Sequence, residues 1–402
     1  MSGAEVMNRQ TSNFDPFSPE FLRDPYPYYE DLRDKGRIVW LERYGVWTVT
    51  HHSDAVEILS DWGTFCNGGG VGLTNYFKTK PWRPPSLILE ADPPLHTRTR
   101  AVLTRILSPM AIRKLTADFE ADAARIVDAA VERRSFDAIG DLAIAFPLKA
   151  LPDSLGMPDE DRSRLITYGK MVAAGFGPPG AELDEIMSHA DDVLPWIAAR
   201  CRREALSPDG LGAQIYAAAD AGELTEDEAG LLVRSFLSAG VDTTFNAISQ
   251  TFNALVDHPA QWAILRDDPT LARAAFEEAL RYDASGQVIV RTTTRAAEFA
   301  GVALDQYDKV FVYVGSANRD PARWENADVY DIRRKSAGHL TFGTGIHGCV
   351  AQMVARMEGE ALFGALARRV ETIEESAPRV RRVSPGARGL DSLPVTVVPK
   401  AH

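Results

Sequence analysis

Residues 342 to 351, FGTGIHGCVA, place glycines, a histidine and a cysteine in one short segment. Gly343, Gly345 and Gly348 have the G-x-G-x-x-G spacing of a dinucleotide-binding turn. Cys349 is the residue type that supplies a thiolate ligand to a metal, and it directly follows the last glycine. The segment alone therefore allows two chemistries, hydride transfer with a nicotinamide cofactor or metal chemistry through a cysteine.

The surroundings of the segment disfavour dinucleotide binding. That fold needs a strand before the glycines and further βα units to complete a sheet. Only 54 of the 402 residues follow Gly348, and the preceding RRKSAGHLTF contains few strand-forming residues. The chain is too short beyond this point to form a doubly wound domain.

The residues around Cys349 are those that a thiolate ligand of a bound cofactor would need. Glycines let the backbone approach a flat cofactor, and a helix that begins near Cys349 stabilises the thiolate through its dipole. His347 is placed to reach a carboxylate of the cofactor, and Phe342 can pack beside the thiolate. A buried core cysteine is the simpler interpretation of Cys349 alone, but it does not explain the flanking residues.

The segment resembles the heme loop of cytochromes P450, F-G-x-G-x-[HR]-x-C-x-[GA], with Ala351 as the less usual last residue. The resemblance implies a cytochrome P450 fold, mainly α with a smaller β part and a long central helix over the heme. It also implies heme b (iron protoporphyrin IX) with the Cys349 thiolate as metal ligand. Phe342, Gly343 and His347 would then be cofactor-binding residues.

Three further signatures precede the loop, in the order expected for the family. The first is Glu278-Ala-Leu-Arg281, whose two charged residues share one helix face. In cytochromes P450 such a pair supports the core beneath the heme together with a later arginine or histidine. The resemblance implies that Arg323, in NRDPARW, is this third residue. An exposed helical ion pair is the alternative that the two residues alone allow.

The second signature is AGVDTT, residues 239 to 244, in the middle of a long apolar helix. Glycine costs about 1 kcal/mol against alanine in a helix, and Asp and Thr compete for backbone hydrogen bonds. A helix kink is the simple explanation. The resemblance implies an oxygen-activation groove, with Ala239 and Gly240 against the heme. Asp242 and Thr243 would be the catalytic residues that deliver protons to O2.

The third signature is His96 and Arg100, which lie four residues apart on one predicted helix face. They resemble the propionate-binding pair of bacterial cytochromes P450. Arg291, in VRTTTR, resembles a further propionate ligand. A lone histidine or arginine is usually a surface residue, but the ordered set of signatures makes coincidence a poor explanation.

Four segments narrow the resemblance to bacterial cytochromes P450 that O-demethylate para-methoxybenzoate. They are KPWRPPSLILEADPP, LLVRSFLSAGVDTT, VRTTTR and GSANRDPARW. The resemblance implies a small aromatic carboxylic acid as substrate and O2 as co-substrate. Electrons would come from a [2Fe-2S] ferredoxin and its NAD(P)H-dependent reductase. The implied reaction is O-demethylation or hydroxylation at the para substituent.

The predicted substrate pocket has an anchoring end made of arginines and serines. Arg234 and Ser235 precede Asp242 by about eight residues, or about 12 Å of helix, close to the length of a para-substituted benzoate. We expect the serines to contact the carboxylate and Arg83 to be the more direct cation. The complete set of predicted substrate-binding residues is Arg83, Ser86, Leu89, Ala173, Phe176, Arg234, Ser235, Ser238, Gly286 and Ile289.

The pocket departs from the family pattern at three of these positions. Ala173 and Ile289 stand where bulky aromatic residues are usual, and Gly286 stands in place of a valine. Smaller side chains leave more space around the ring. The sequence therefore predicts a roomier pocket that takes larger acids such as cinnamates.

Two other activities of the same fold are possible. A peroxide-driven peroxygenase typically lacks the acid–alcohol pair, so Asp242 and Thr243 weigh against it. A non-catalytic heme sensor would need no ferredoxin surface. A basic patch suited to an acidic ferredoxin weighs against the sensor. We expect that patch to comprise Arg98, Arg105, Arg113, Lys114 and Arg356.

Composition agrees with an ordinary globular enzyme. The 402 residues are 45% hydrophobic and 25% charged, and the net charge of −12 argues against nucleic-acid binding. Three distant cysteines indicate a reducing cytoplasm and no disulfides. No apolar stretch is long enough for a membrane span, so we expect no membrane contact. We expect a monomer with a flexible arm over residues 1–12 and a single domain over 13–402.

The elements that must position these residues are mostly helical. Helices are predicted over 26–35, 54–61 and 96–107, over 108–133 and 183–206, and after Cys349. Thr225 and Glu228 form a T-x-x-E capping box that predicts a long helix ending at about Asp257. Two short strands are predicted within 37–50, and others near 287–294, 299–303 and 309–314. The Gly- and Pro-rich stretch 62–95 is predicted to be an ordered functional loop.

Overall fold

The computed structural model describes residues 9 to 401, and there the fold is mainly α with a smaller β part, as predicted. The α-helices in chain order are α1 (Pro19–Arg23), α2 (Tyr26–Lys35), α3 (His52–Ser60), α4 (Leu95–Ile106), α5 (Pro109–Arg133), α6 (Ala145–Leu155), α7 (Ser163–Ala174), α8 (Ala181–Met187), α9 (Ala190–Arg200), α10 (Leu211–Asp220), α11 (Glu226–Asp257), α12 (Pro259–Asp267), α13 (Ala272–Tyr282), α14 (Val314–Ala317) and α15 (Gln352–Arg369). A π-helical turn, Ile139–Ile144, leads into α6.

The strands form one larger sheet and three small ones. They are β1 (Thr11–Ser12), β2 (Val39–Leu41), β3 (Val46–Val49), β4 (Phe65–Cys66), β5 (Ser135–Asp137), β6 (Ile289–Thr293), β7 (Ala297–Phe299), β8 (Val302–Leu304), β9 (Lys309–Val312), β10 (Val370–Glu375), β11 (Val380–Arg381), β12 (Leu390–Ser392) and β13 (Pro394–Pro399). The larger sheet has the order β1-β2-β3-β9-β6-β4, and the small sheets are β10-β13-β5, β11-β12 and β7-β8.

The long helix α11 organises the molecule. Thr225 and Glu228 form the predicted capping box, and the helix ends before His258 and Pro259, also as predicted. Its 32 residues span about 48 Å. From Val241 to Leu255 its residues are almost all buried, so this half of the helix lies in the core. Along its whole length α11 packs against α6, α7, α10 and α13.

Three predictions of local structure are wrong in detail. The helix predicted over 183–206 is two helices, α8 and α9, separated at Ser188 and His189. The strand predicted over 299–303 is the β7–β8 hairpin, with Ala300 and Gly301 at positive φ in its turn. Thr11 and Ser12 pair with Trp40 and Leu41, so the arm predicted over 1–12 does not include them.

Length and hydropathy decide whether a helix within residues 9 to 401 could span a membrane. Across that range, none combines the length and the apolar character that crossing a bilayer demands.

An unpaired carboxyl group lies inside the helical core. Glu358, on α15, is 1% exposed, and its Oε2 has no hydrogen-bond partner among the described residues. Burial raises the pKa of Glu358 to about 8. Above that pH the folded protein must hold an unpaired charge in its interior, which costs free energy.

Glu358 therefore makes the stability of the protein depend on pH. Because its pKa is about 8 in the folded protein and about 4.3 in an unfolded chain, its contribution is complete at acid pH and is lost as the pH rises through 8. A tenfold difference in proton affinity between the folded and unfolded protein corresponds to about 1.4 kcal/mol. The Glu358→Gln variant should gain thermal stability over the wild type as the pH rises from about 5 to about 8. If the difference between the melting temperatures of the variant and the wild type does not change over this pH range, the raised pKa of Glu358 is refuted.

Candidate active site

The glycine loop closes tightly against the end of α3. Gly343 and Gly345 have φ of +68° and +67°, a region that favours glycine. A Cβ on Gly345 would lie 2.6 Å from the Leu59 carbonyl oxygen. The Cys349 amide donates to the Phe342 carbonyl at 2.8 Å, which closes the loop immediately before α15. These glycines serve a tight turn that presents Cys349, and no strand precedes them as a dinucleotide fold would need.

Cys349 is a free, partly exposed thiol at the start of the α15 segment. Burial raises its pKa, whereas the Ala351 amide and the nearby Arg100 and Arg356 act in the opposite direction. The Arg100 guanidinium donates to the Gly348 carbonyl at 2.6 Å, so it holds the loop from the α4 side. Burial is the larger effect, so the neutral thiol is favoured while no metal is bound, and the two arginines would help to stabilise a thiolate bound to a metal.

Unpaired buried donors surround the loop. His96 Nε2, Arg291 Nε and both ring nitrogens of His347 have no hydrogen-bond partner among residues 9 to 401. The rings of His96 and His347 lie 4.3 Å apart. His347 Nε2 is 3.5 Å from Asp92, too far for a good hydrogen bond. Buried donors without partners are costly, and two carboxylates of a bound group would satisfy them.

Burial lowers the pKa of His96 to about 4 and that of Arg291 to about 10. Asp92 opposes both shifts but does not cancel them, so the two sites have less negative charge than they could accept. Heme carries two propionates, and its iron needs one axial ligand from the protein. The residues present therefore fit heme, with Cys349 toward the iron and the histidine–arginine group toward the propionates.

The acid–alcohol pair lies on α11 as predicted. Asp242 is buried and its Oδ1 accepts from Arg382 Nη1 at 3.1 Å. Asn246 Nδ2 donates to the backbone carbonyl of Asp242 at 2.6 Å. Thr243 is exposed and its hydroxyl donates to the Ala239 carbonyl. Burial raises the pKa of Asp242, and Arg382 opposes this shift.

Gly240, predicted to contact the heme, also packs against a neighbouring helix. A Cβ at this position would overlap the Leu151 side chain of α6. The glycine is therefore required by close packing between α6 and α11. Ala239, one residue earlier, is exposed on the same helix and remains a candidate heme contact.

The Glu278–Arg281 pair is fully buried, with N···O distances of 2.8 Å. The predicted third member, Arg323, is wrong. Arg334 Nε donates to Glu278 Oε1 at 3.1 Å, whereas Arg323 stacks on Trp324. Arg323 and Arg334 both follow α13 in sequence, and only the path of the intervening chain decides which one turns inward.

The anchoring serines come together. Ser86 Oγ and Ser235 Oγ are 3.0 Å apart, although they are 149 residues apart in sequence. Ser235 also donates to the Leu231 carbonyl at 2.9 Å, and Ser238 donates to the Ser235 carbonyl at 3.3 Å. Ser86 and Ser235, both predicted to contact the carboxylate, therefore form a hydroxyl pair, while Ser238 lies one turn nearer Asp242.

Arg83 and Arg234, the two predicted anchoring arginines, differ in whether a carboxylate is paired with them. Arg83 Nη1 is 3.0 Å from Glu90 Oε2, and both side chains are buried. Arg83, predicted to be the more direct cation of the anchor, is thus paired with a carboxylate of its own loop. Arg234 Nη2 donates to the Pro84 carbonyl at 2.8 Å. No carboxylate within the described range lies at ion-pair distance from Arg234, and burial lowers its pKa.

The remaining predicted pocket residues lie at the end of α7, in the loop before α4 and at the start of β6. Ala173 is buried near the end of α7, and the Phe176 carbonyl accepts from the Leu73 amide at 2.9 Å. Leu89 is 38% exposed in the 62–95 loop. Ile289 begins β6 and approaches Gly343 of the heme loop.

Gly286 borders open space. A Cβ built on it would meet no other group within 4 Å.

The predicted basic patch is mostly neutralised. Arg98 pairs with Glu228, Arg105 with Glu223 at 2.8 Å, and Arg356 with Glu277. These three arginines are therefore not a free cationic surface, contrary to expectation. Arg113 and Lys114 are exposed on α5 and form no ion pair with the described residues.

The fold and this site together define a heme-thiolate oxygenase, with a cysteine loop on one side and a helical acid–alcohol pair on the other. A sequence model described as cytochrome P450 matches residues 202–379. The chain is 47% identical over 386 residues to "Cytochrome p450 CYP199A2" of Rhodopseudomonas palustris, covering 96% of this chain and 94% of that one. It is 30% identical to "Putative cytochrome P450 123" of Mycobacterium tuberculosis, covering 95% and 96%.

Solved structures agree with these relatives. Cytochrome P450 CREJ in complex with (4-ethylphenyl) dihydrogen phosphate superposes with a TM-score of 0.86 at 28% identity, covering 96% of this chain and 99% of that one. P450BioI with an acyl carrier protein gives 0.85 at 26%, covering 94% and 100%. The chain belongs to the cytochrome P450 family. Members of this family bind heme b through a cysteine thiolate and act as monooxygenases, so the predicted fold, cofactor and enzyme class are confirmed.

Sequence reasoning missed two charged residues of the site. Arg382, which holds Asp242, lies in the segment between β11 and β12, 140 residues away. Glu90, which holds Arg83, lies in a loop without regular periodicity. Neither residue carries a local signal, because an isolated arginine or glutamate in a turn is usually solvated.

Proposed function

We propose that this monooxygenase O-demethylates or hydroxylates para-substituted aromatic carboxylic acids. The observation that carries the proposal is the hydroxyl pair of Ser86 and Ser235 beside the unpaired Arg234. Ser235 and Asp242 are seven residues apart on α11, or about 10 Å of helix. A benzoate held at the serines would thus direct its para substituent toward the acid–alcohol pair.

The residues of this chain would divide the work of the reaction. The overall reaction consumes the methoxy acid, O2, two electrons and two protons, and yields a phenol, formaldehyde and water. Bound heme supplies oxygen activation and oxidation of the methoxy carbon, with Cys349 as the ligand that we assign to it. Ser86, Ser235 and Arg234 bind and orient the carboxylate. Asp242 holds the proton that moves to the Thr243 hydroxyl.

Two features support an aromatic acid with a larger ring system as an additional substrate. Gly286 borders open space, and Ala173 and Ile289 are smaller than aromatic side chains. We include 4-methoxycinnamate in the substrate class for this reason. The presence of Asp242 and Thr243 on α11 favours O2 over peroxide as the oxidant and favours catalysis over a sensor role.

We propose an acidic [2Fe-2S] ferredoxin, reduced by an NAD(P)H-dependent reductase, as the electron donor. The supporting residues lie on α15 and on the two helices that pack against it, α5 and α13. On α15, Met353 is 42% exposed, and Arg273 Nη2 of α13 lies 3.9 Å from its sulfur. On α5, Met110 is 64% exposed, and Arg113 and Lys114 are also exposed. Exposed methionines with free cations suit a transient partner of opposite charge.

Spectral titration of the ferric holoprotein tests the substrate assignment. We expect 4-methoxybenzoate and 4-methoxycinnamate to shift the heme toward high spin, and the methyl ester of the benzoate to bind much more weakly. The Ser235→Ala variant should bind the acid about tenfold more weakly than the wild type, because a hydrogen bond to a charged group is lost. Ester binding by the same variant is the control and should not change. Equal affinity of the wild type for acid and ester would refute the carboxylate anchor.

A further inference from the structure

Glu90 is a buried carboxylate inside the anchoring end of the pocket. Glu90 is 6% exposed. Its Oε2 accepts from the Ser86 amide at 2.7 Å and from Arg83 Nη1 at 3.0 Å. Its Oε1 accepts from the Tyr76 hydroxyl at 3.1 Å. The carboxylate is therefore satisfied by three residues of one loop, and one of them is an anchoring serine.

The position of Glu90 determines the charge that a bound anion meets. Glu90 cancels the charge of Arg83, so Arg234 alone supplies the net positive charge of the anchor. The Ser86 amide contacts Glu90 while the Ser86 hydroxyl faces Ser235. An anion bound at the hydroxyl pair would therefore be separated from the negative charge of Glu90 only by Ser86. In a buried site such a charge is poorly screened.

We infer that Glu90 is a specificity-determining residue that makes the anchor select singly charged head groups over doubly charged ones. A carboxylate or sulfonate brings one negative charge, which Arg234 balances. A second negative charge would be unbalanced and would be repelled by Glu90. This inference rests on the proposed function, because it assumes that the anion binds at Ser86 and Ser235.

Two isosteric probes separate charge from shape. 4-Methoxybenzenesulfonate and 4-methoxyphenylphosphonate both have tetrahedral heads. At about pH 8 the phosphonate carries a second negative charge, since phosphate-type groups have lost their second proton at this pH. Calorimetric titration of the ferric holoprotein gives the dissociation constant of each probe. The ratio of the phosphonate constant to the sulfonate constant measures charge selection, and it should exceed one in the wild type.

Four variants test the role of Glu90. Glu90→Gln should lower the ratio about tenfold, because a nearby buried negative charge is removed. Arg83→Gln leaves Glu90 uncompensated and should raise the ratio, which gives an independent test if Glu90→Gln does not retain heme. The double variant Arg83→Gln/Glu90→Gln restores the net charge and should restore the wild-type ratio. Tyr76→Phe removes a hydrogen bond to Glu90 without changing charge and should leave the ratio unaltered.

The outcomes distinguish this inference from the proposed function. An unchanged ratio in Glu90→Gln, or a lowered ratio in Arg83→Gln, overturns the role of Glu90 while the anchor itself stands. A wild type that binds neither 4-methoxybenzoate nor the sulfonate overturns the proposed function, and the inference falls with it. A ratio that shifts equally in Tyr76→Phe shows that loop geometry, not charge, sets selection, and also overturns the inference.

Discussion

The Cys349→Ala variant is expected to lose the red-shifted reduced-CO band of thiolate-ligated heme, together with all monooxygenase activity. Cys349 is the cysteine in the loop that the glycines at 343 and 345 present, and unpaired histidine and arginine donors surround that loop. Without the thiolate, the iron has no ligand from this segment. This is the largest functional effect that we expect from a single substitution.

The Cys201→Ala variant is the matched control for this experiment. Cys201 is also a free thiol, but unlike Cys349 it is buried, and it lies at the end of α9 among the apolar residues of the helical core. Burial raises the pKa of its thiol to about 12, so it remains a neutral packing group. Its loss should cost a little stability and leave the CO band intact. A band that survives in Cys349→Ala, or disappears in Cys201→Ala, would contradict the assignment.

The features that could be predicted from the sequence are those encoded within one segment. The heme loop depends on residue types within ten positions, and the capping box of α11 depends on positions 225 and 228. The acid–alcohol pair is visible because its residues are unfavourable inside an apolar helix. In each case the local conformation follows from neighbouring residues, so no knowledge of the tertiary structure is needed.

The features that could not be predicted are the partners of these residues across the fold. Arg382 reaches Asp242 from 140 residues away, and Arg334 takes the place predicted for Arg323. Arginine occurs throughout this chain, mostly in exposed ion pairs, so residue type does not show which guanidinium turns inward. Glu90 lies within a segment that resembles the family, yet its pairing with Arg83 depends on the path of an irregular loop.

The buried pair of Glu278 and Arg281 leads to the second large expected effect, on stability. Both side chains are 0% exposed. Arg281 also donates to the carbonyl oxygens of Asn318, Ala327 and Val329, at 2.7 to 3.0 Å. The pair thus joins α13 to the irregular segment that precedes the heme loop. Removing the charge of Glu278 leaves the Arg281 guanidinium buried without its carboxylate partner.

The Glu278→Gln variant should lose about 3 to 5 kcal/mol of unfolding free energy. Arg334→Ala should also destabilise the protein, because Arg334 donates to the same carboxylate. Arg323→Ala is the matched control, since Arg323 lies on the surface against Trp324, and its cost should stay within about 0.5 kcal/mol. Denaturant unfolding of the three variant holoproteins, monitored by heme absorbance, gives the unfolding free energy that each one loses. If Arg323→Ala proves as costly as Arg334→Ala, the cluster is held by the residue that the family resemblance implies, and the geometry described for Glu278 is wrong.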